Sequence, residues 1–307
     1  MLVMRAGAPK VRIDELAFSP DGAAIAAPAG AAGLCLWTPL AAGTKSEVLQ
    51  LPVKVVKRVA FAPDGHTLYA GNDRLCAFDL ATRSGPVVDI PQWGALKFGV
   101  SPDGTRLVVA EIQRETDATR ITVWKTGELD APPLAATTPS LVYSPPLFPP
   151  AGDRFLLLEG TLLPSRSWEY RRVTRSAETG GVIEQSPPFP DDPDQMILSP
   201  DGRTVACRTR AVIRVYPATG GWGTDVPTIK NDGKQHFTGI AYHPSGELLA
   251  ATSNDKTVKL YDTASGALAR TFTWDIGRMR SVAFSPDGLL AAAGSDTGKV
   301  VVWDVDG

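Results

Sequence analysis

The chain is poor in the residues on which most special chemistry depends. Of its 307 residues, three are cysteines and three are histidines. Cys35, Cys76 and Cys207 share no paired spacing, which excludes a disulfide scaffold and fits a reducing compartment. His66, His236 and His243 are too few and too scattered for a histidine metal cluster. No apolar run reaches the roughly 18 residues of a membrane helix, and Met1 to Pro9 hold no signal-peptide core, so a soluble, cytoplasmic protein is expected. An excess of charge is missing as well. Thirty-one basic residues face 33 acidic ones, and a net charge of −2 provides no field for nucleic acid or membrane. There is no Gly-x-Ser-x-Gly elbow, no His-Glu-x-x-His and no Walker-type loop, so the sequence points to no enzyme, no cofactor and no metal. What is plentiful is turn-formers, 29 glycines and 26 prolines, within a chain that is 43% hydrophobic. That combination reads as globular and rich in reversals.

Those reversals repeat. Phe18-Ser19-Pro20-Asp21-Gly22 returns as Phe61-Ala62-Pro63-Asp64-Gly65, Val100-Ser101-Pro102-Asp103-Gly104, Leu198-Ser199-Pro200-Asp201-Gly202, Tyr242-His243-Pro244-Ser245-Gly246 and Phe284-Ser285-Pro286-Asp287-Gly288. Phe148-Pro149-Pro150-Ala151-Gly152 is an eroded copy. The anchor prolines 20, 63, 102, 150, 200, 244 and 286 recur about every 44 residues, so seven repeats fill the chain and no second domain is expected. Proline presets φ for a β-turn, aspartate follows, and glycine takes the position where φ is positive. Short apolar stretches flank each turn, which makes each copy a hairpin. A second landmark follows in most copies, an apolar strand that ends in a bulky ring at Trp37, Phe78, Trp124, Tyr216, Tyr261 or Trp303. In the fourth copy Arg175 stands in that place.

Four short strands per repeat, with Ser-Pro-Asp-Gly turns and the pairs Tyr261-Asp262 and Trp303-Asp304, resemble the WD40-repeat family. The resemblance implies an all-β fold, a single seven-bladed propeller of four-stranded blades spanning residues 1–307. The Gly-His pair that precedes the first strand in that family is absent, so blades held by packing and ladder bonds, with less polar stapling than in well-matched members, are expected. The chain stops just after the third strand of the last repeat, and Leu2-Val3-Met4-Arg5 has no other assignment. The N-terminus is therefore expected to add the outer strand of blade seven and close the ring.

The resemblance implies a non-enzymatic scaffold for a protein or peptide partner, with no nucleic acid and no membrane. Two other readings are kept: a lactonase-like hydrolase working from the central channel, and a partner-binding propeller of the TolB kind. A monomer is expected. Twenty arginines against eleven lysines suggest a bacterial source. Residues just ahead of the first strands should stand at one mouth of the channel. Counting eight back from each anchor proline gives Arg12, Val55, Gly94, Val142, Asp192, His236 and Arg278. Arg12, His236 and Arg278, with Trp93 nearby, form the candidate site for an acidic partner segment. Arg171, Arg172 and Arg210, within an arginine-rich stretch of repeats four and five, form the alternative patch.

Overall fold

The computed structural model describes residues 1–8, 10–88, 96–113, 116–223, 225–231 and 235–306. Among them, 28 strands form seven four-stranded antiparallel sheets, the blades of a β-propeller. No helix among the described residues is long and apolar enough to cross a membrane.

The repeated turns hold their shape by an internal hydrogen-bond cycle. Ser19 Oγ donates to Asp21 Oδ1 at 2.5 Å and accepts the Ala24 N–H at 2.9 Å, while Gly22 takes φ +72°. Ser101 with Asp103, Ser199 with Asp201 and Ser285 with Asp287 repeat the serine-to-aspartate bond. The serine hydroxyl, helped by backbone N–H groups, keeps each carboxyl below its ordinary range, and Asp103 falls to about 2. The turns also touch around one face. A Cβ added to Gly65 would lie 3.8 Å from Pro20, one on Gly104 3.5 Å from Pro63, and one on Gly22 3.8 Å from Pro286. Each turn glycine thus rests on the preceding blade's turn, on its proline in most blades and on the His243 ring at Gly288, and blade one rests on blade seven.

Packing between neighbours supplies the core. Each apolar cluster bridges two consecutive blades. Ala26, Leu36, Val59 and Phe78 join blades one and two, and Leu156, Leu158, Val205 and Tyr216 join blades four and five. Ile25, Trp37, Val300 and Val302 join blade one to blade seven. A blade therefore buries its faces only because both neighbours are present.

The ring closes as the strand count requires. Leu2–Arg5 pairs antiparallel with the third strand of blade seven in the register Leu2↔Val302 to Arg5↔Lys299. Met4 is fully buried, and the Arg5 carbonyl accepts the Trp37 indole N–H at 3.0 Å. Polar side-chain bonds add to packing and ladder bonds at two kinds of place. Asp296 Oδ1 accepts the Arg278 N–H at 3.0 Å and Asn254 Oδ1 accepts the His236 N–H at 2.8 Å, so turn side chains pin the entrances to blades seven and six. Blade four adds a buried ion pair, Arg175 with Glu159 at 2.9 Å.

Candidate interaction surface in the central channel

The inner strands surround a channel of about 1120 Å³. Its wall is far more basic than the chain. Lys10, Arg12, Lys57, Arg58, Lys97, Arg208 and Arg280 face Asp14, Glu15 and Asp194, seven cations to three carboxylates in a protein of net charge −2.

Most of these charges sit six or five residues before the anchor proline, where the sequence count had gone back eight. Asp14 and Glu15, Lys57 and Arg58, Lys97, Asp194 and Arg280 all follow the shorter offset. In blades six and seven a bulge accompanies that offset. The ladder shifts register between Phe237 and Gly239 and between Met279 and Ser281. Such a bulge leaves one residue unpaired and re-aims its side chain. Thr238 and Arg280 are those residues, and both line the channel. His236 and Arg278 lie one residue ahead of the inner strands, exposed, with their backbone N–H groups held by the turns of their own blades. Arg12 does line the channel, while Val142 is buried in the core. Trp93 and Gly94 lie outside the described residues.

The wall charges are mostly paired. Arg58 Nη1 lies 3.0 Å from Glu15 Oε2, and Glu15 Oε1 accepts the Val59 N–H at 2.9 Å. Burial raises the Glu15 carboxyl although Arg58 opposes it. Asp14 takes Arg12 at 3.0 Å and has Arg280 Nε at 3.9 Å. Arg208 donates to the Phe237 carbonyl at 2.8 Å and stands 3.6 Å from Asp194. Lys57, exposed, and Lys97, half-buried, have no carboxylate at ion-pair distance among the described residues. Lys97 Nζ donates to the Tyr143 carbonyl instead.

The alternative arginine patch does not assemble. Arg172 is fully buried, donating to the Pro217 carbonyl at 2.9 Å and the Gly220 carbonyl at 2.7 Å with Trp222 stacked 4.8 Å away. It ties blade four to blade five and offers nothing to a partner. Arg171 is engaged with Glu169 at 2.7 Å and the Ser186 carbonyl, while Arg210 is exposed. The sequence could not separate these roles, because buried and solvated arginines alternate along the same strands. The three cysteines are buried and free. Among the described residues no three of His, Cys, Asp and Glu gather as metal ligands.

Comparison with known proteins agrees with the fold. Residues 226–262 and 268–304, the sixth and seventh repeats, match the WD domain, G-beta repeat, and the five more degenerate blades share their strand order and turns. Two of the seven repeats are therefore WD40 repeats. The chain is 29% identical over 153 residues to WD repeat-containing protein SL1-17 of Schistosoma mansoni, a match covering 48% of each chain. It is 29% identical over 122 residues to Pre-mRNA-processing factor 19 of Dictyostelium discoideum, covering 36% of this chain and 23% of that protein. An uncharacterized WD repeat-containing protein of Synechocystis is 36% identical over 59 residues, 19% of this chain and 17% of its own. The chain spans less than half the length of these relatives. WD40 proteins are in general non-catalytic scaffolds that bind protein partners.

Proposed function

We propose that this chain is a non-enzymatic interaction scaffold whose central channel receives an acidic segment of a protein partner. The observation that carries this reading is the basic wall on a slightly acidic chain, with exposed Lys57 left without a carboxylate at ion-pair distance among the described residues. Charge complementarity of this kind steers association and selects partners. The sector that contributes is Arg12, Lys57, Arg58 and Arg280, which replaces the pair His236 and Arg278 as the side chains in the wall. A cytoplasmic location belongs to the same reading, since three free buried cysteines suit a reducing compartment. So do a monomeric state and the bacterial source that arginine usage suggests.

Charge reversal tests the site. Arg12→Glu together with Lys57→Glu alters two exposed side chains and should leave the melting temperature within a few degrees of wild type. Binding of a fluorescent poly-glutamate peptide should weaken at least tenfold. Arg210→Glu, exposed but outside the lining of the channel, should leave binding unchanged. Equal weakening by Arg210→Glu, or none by the channel pair, refutes the assignment.

A further inference from the structure

Lys97 differs from every other cation of the channel wall in its surroundings. It projects from the inner strand of blade three (Leu96–Val100) into the cavity, half-buried, with one hydrogen bond to a neutral acceptor, the Tyr143 carbonyl of blade four. The carboxylate placed to neutralise it, Glu15, is committed to Arg58 and to the Val59 N–H. Burial and the Arg58 charge push the Lys97 ammonium down to about 7, against a smaller pull from Glu15. An amine about half neutral near pH 7, on the wall of a cavity large enough for a small molecule that Arg58 and Arg280 also line, is an arrangement for nucleophilic addition to an anionic carbonyl compound.

We propose that Lys97 is a carbonyl-reactive amine and that a small aldehyde or ketone bearing an anionic group condenses with it inside the channel. The Nζ lone pair attacks the carbonyl carbon, a proton passes from nitrogen to the former carbonyl oxygen, and the carbinolamine loses water to leave an imine. Amine and carbonyl become imine and water, with no change of oxidation state. Arg58, Lys57 and Arg280 hold the anionic group by charge. The adduct fills the space that an acidic segment would enter, so the two exclude each other, although the amine reacts whether or not a partner exists.

Pyridoxal 5′-phosphate is the probe. The full chain is incubated with a substoichiometric amount between pH 6 and 9, reduced with borohydride to fix the imine, and mapped by peptide mass spectrometry. Of eleven lysines, Lys97 should carry at least ten times the label of any other at pH 7.5, with half-maximal labelling near pH 7. Arg58→Gln removes the repelling charge and frees Glu15 to pair with Lys97, so the labelling midpoint should move up by at least one pH unit. Uniform labelling of surface lysines that appears only near pH 9 overturns the proposal. So does a Lys97 midpoint indifferent to Arg58→Gln in a variant shown by circular dichroism to be folded. If that variant does not fold, the wild-type label distribution alone decides.

Discussion

At the end of its third strand blade seven carries Trp303, opposite Ala291, and blade four carries Arg175 in the same register, opposite Phe155. The Trp303 ring packs 5.3 Å from Phe272 on the outer strand of blade six and 4.7 Å from Trp274 just beyond that strand. Its indole N–H is buried without a hydrogen-bond partner. Arg175 is equally buried, yet its guanidinium reaches Glu159 at 2.9 and 3.1 Å and the Gly180 carbonyl at 3.1 Å. Glu159 completes the network by accepting from Thr138 Oγ1 of blade three at 2.8 Å. The gap between blades thus demands a flat, bulky filler and not an apolar one. A guanidinium serves when its donors are answered, whereas the tryptophan fills the space and leaves its one donor unanswered.

The largest effect expected from this contrast is in blade four. Arg175→Leu strands a buried carboxylate and should cost about 3–5 kcal/mol, measured by urea unfolding. Adding Glu159→Leu should recover most of that loss, since a fully apolar pair asks for no acceptor. If the double variant is as unstable as the single one, the arginine matters for shape alone. Conservative changes come next. Arg175→Lys loses the forked geometry and should cost about 2 kcal/mol. Trp303→Phe removes volume together with the unanswered N–H and should cost less than about 1.5 kcal/mol. A reversed order of these two losses would break the comparison.

An effect of the opposite sign concerns a carboxylate left without hydrogen-bond partners. Glu111, on the second strand of blade three, is fully buried, has no hydrogen-bond partner on either oxygen, and lies 4.0 Å from Arg120 Nε. Burial pushes its carboxyl up to about 7 from an ordinary 4.5. The folded state therefore holds the proton more tightly than the unfolded one. Its favourable contribution is complete below about pH 4.5 and is lost as pH rises through 7. Glu111→Leu should accordingly gain about 1–3 kcal/mol over wild type at pH 8, with the gain shrinking toward pH 5. A gain independent of pH would assign the effect to packing and not to the buried charge.

The repeat was legible because each turn states its own chemistry: Pro200-Asp201-Gly202 or Pro286-Asp287-Gly288 specifies a reversal without help from the rest of the chain. Ring closure was legible by counting strands, and Leu2–Arg5 took the one place left. The wall of the channel was not. A bulge at Thr238 and another at Arg280 leave no local signature, and nothing in the turn itself tells which of the residues five to eight before the proline reaches the wall, since blades one, two, three and five use the same short offset without a bulge. Arg172 looked like a surface residue because nothing in its own strand announces the Pro217 and Gly220 carbonyls that receive it, 45 and 48 residues later. Lys97 became a candidate only once its neighbours were in place.

The claim that the channel receives an acidic segment is tested most directly by site-specific crosslinking. A photoreactive amino acid replaces Lys57 on the channel wall in one variant and exposed Arg210, outside the channel lining, in another, and each is irradiated with the poly-glutamate peptide bound. Crosslinks from position 57, with few or none from position 210, are the predicted result. Crosslinks from position 210 with none from position 57 would contradict the account.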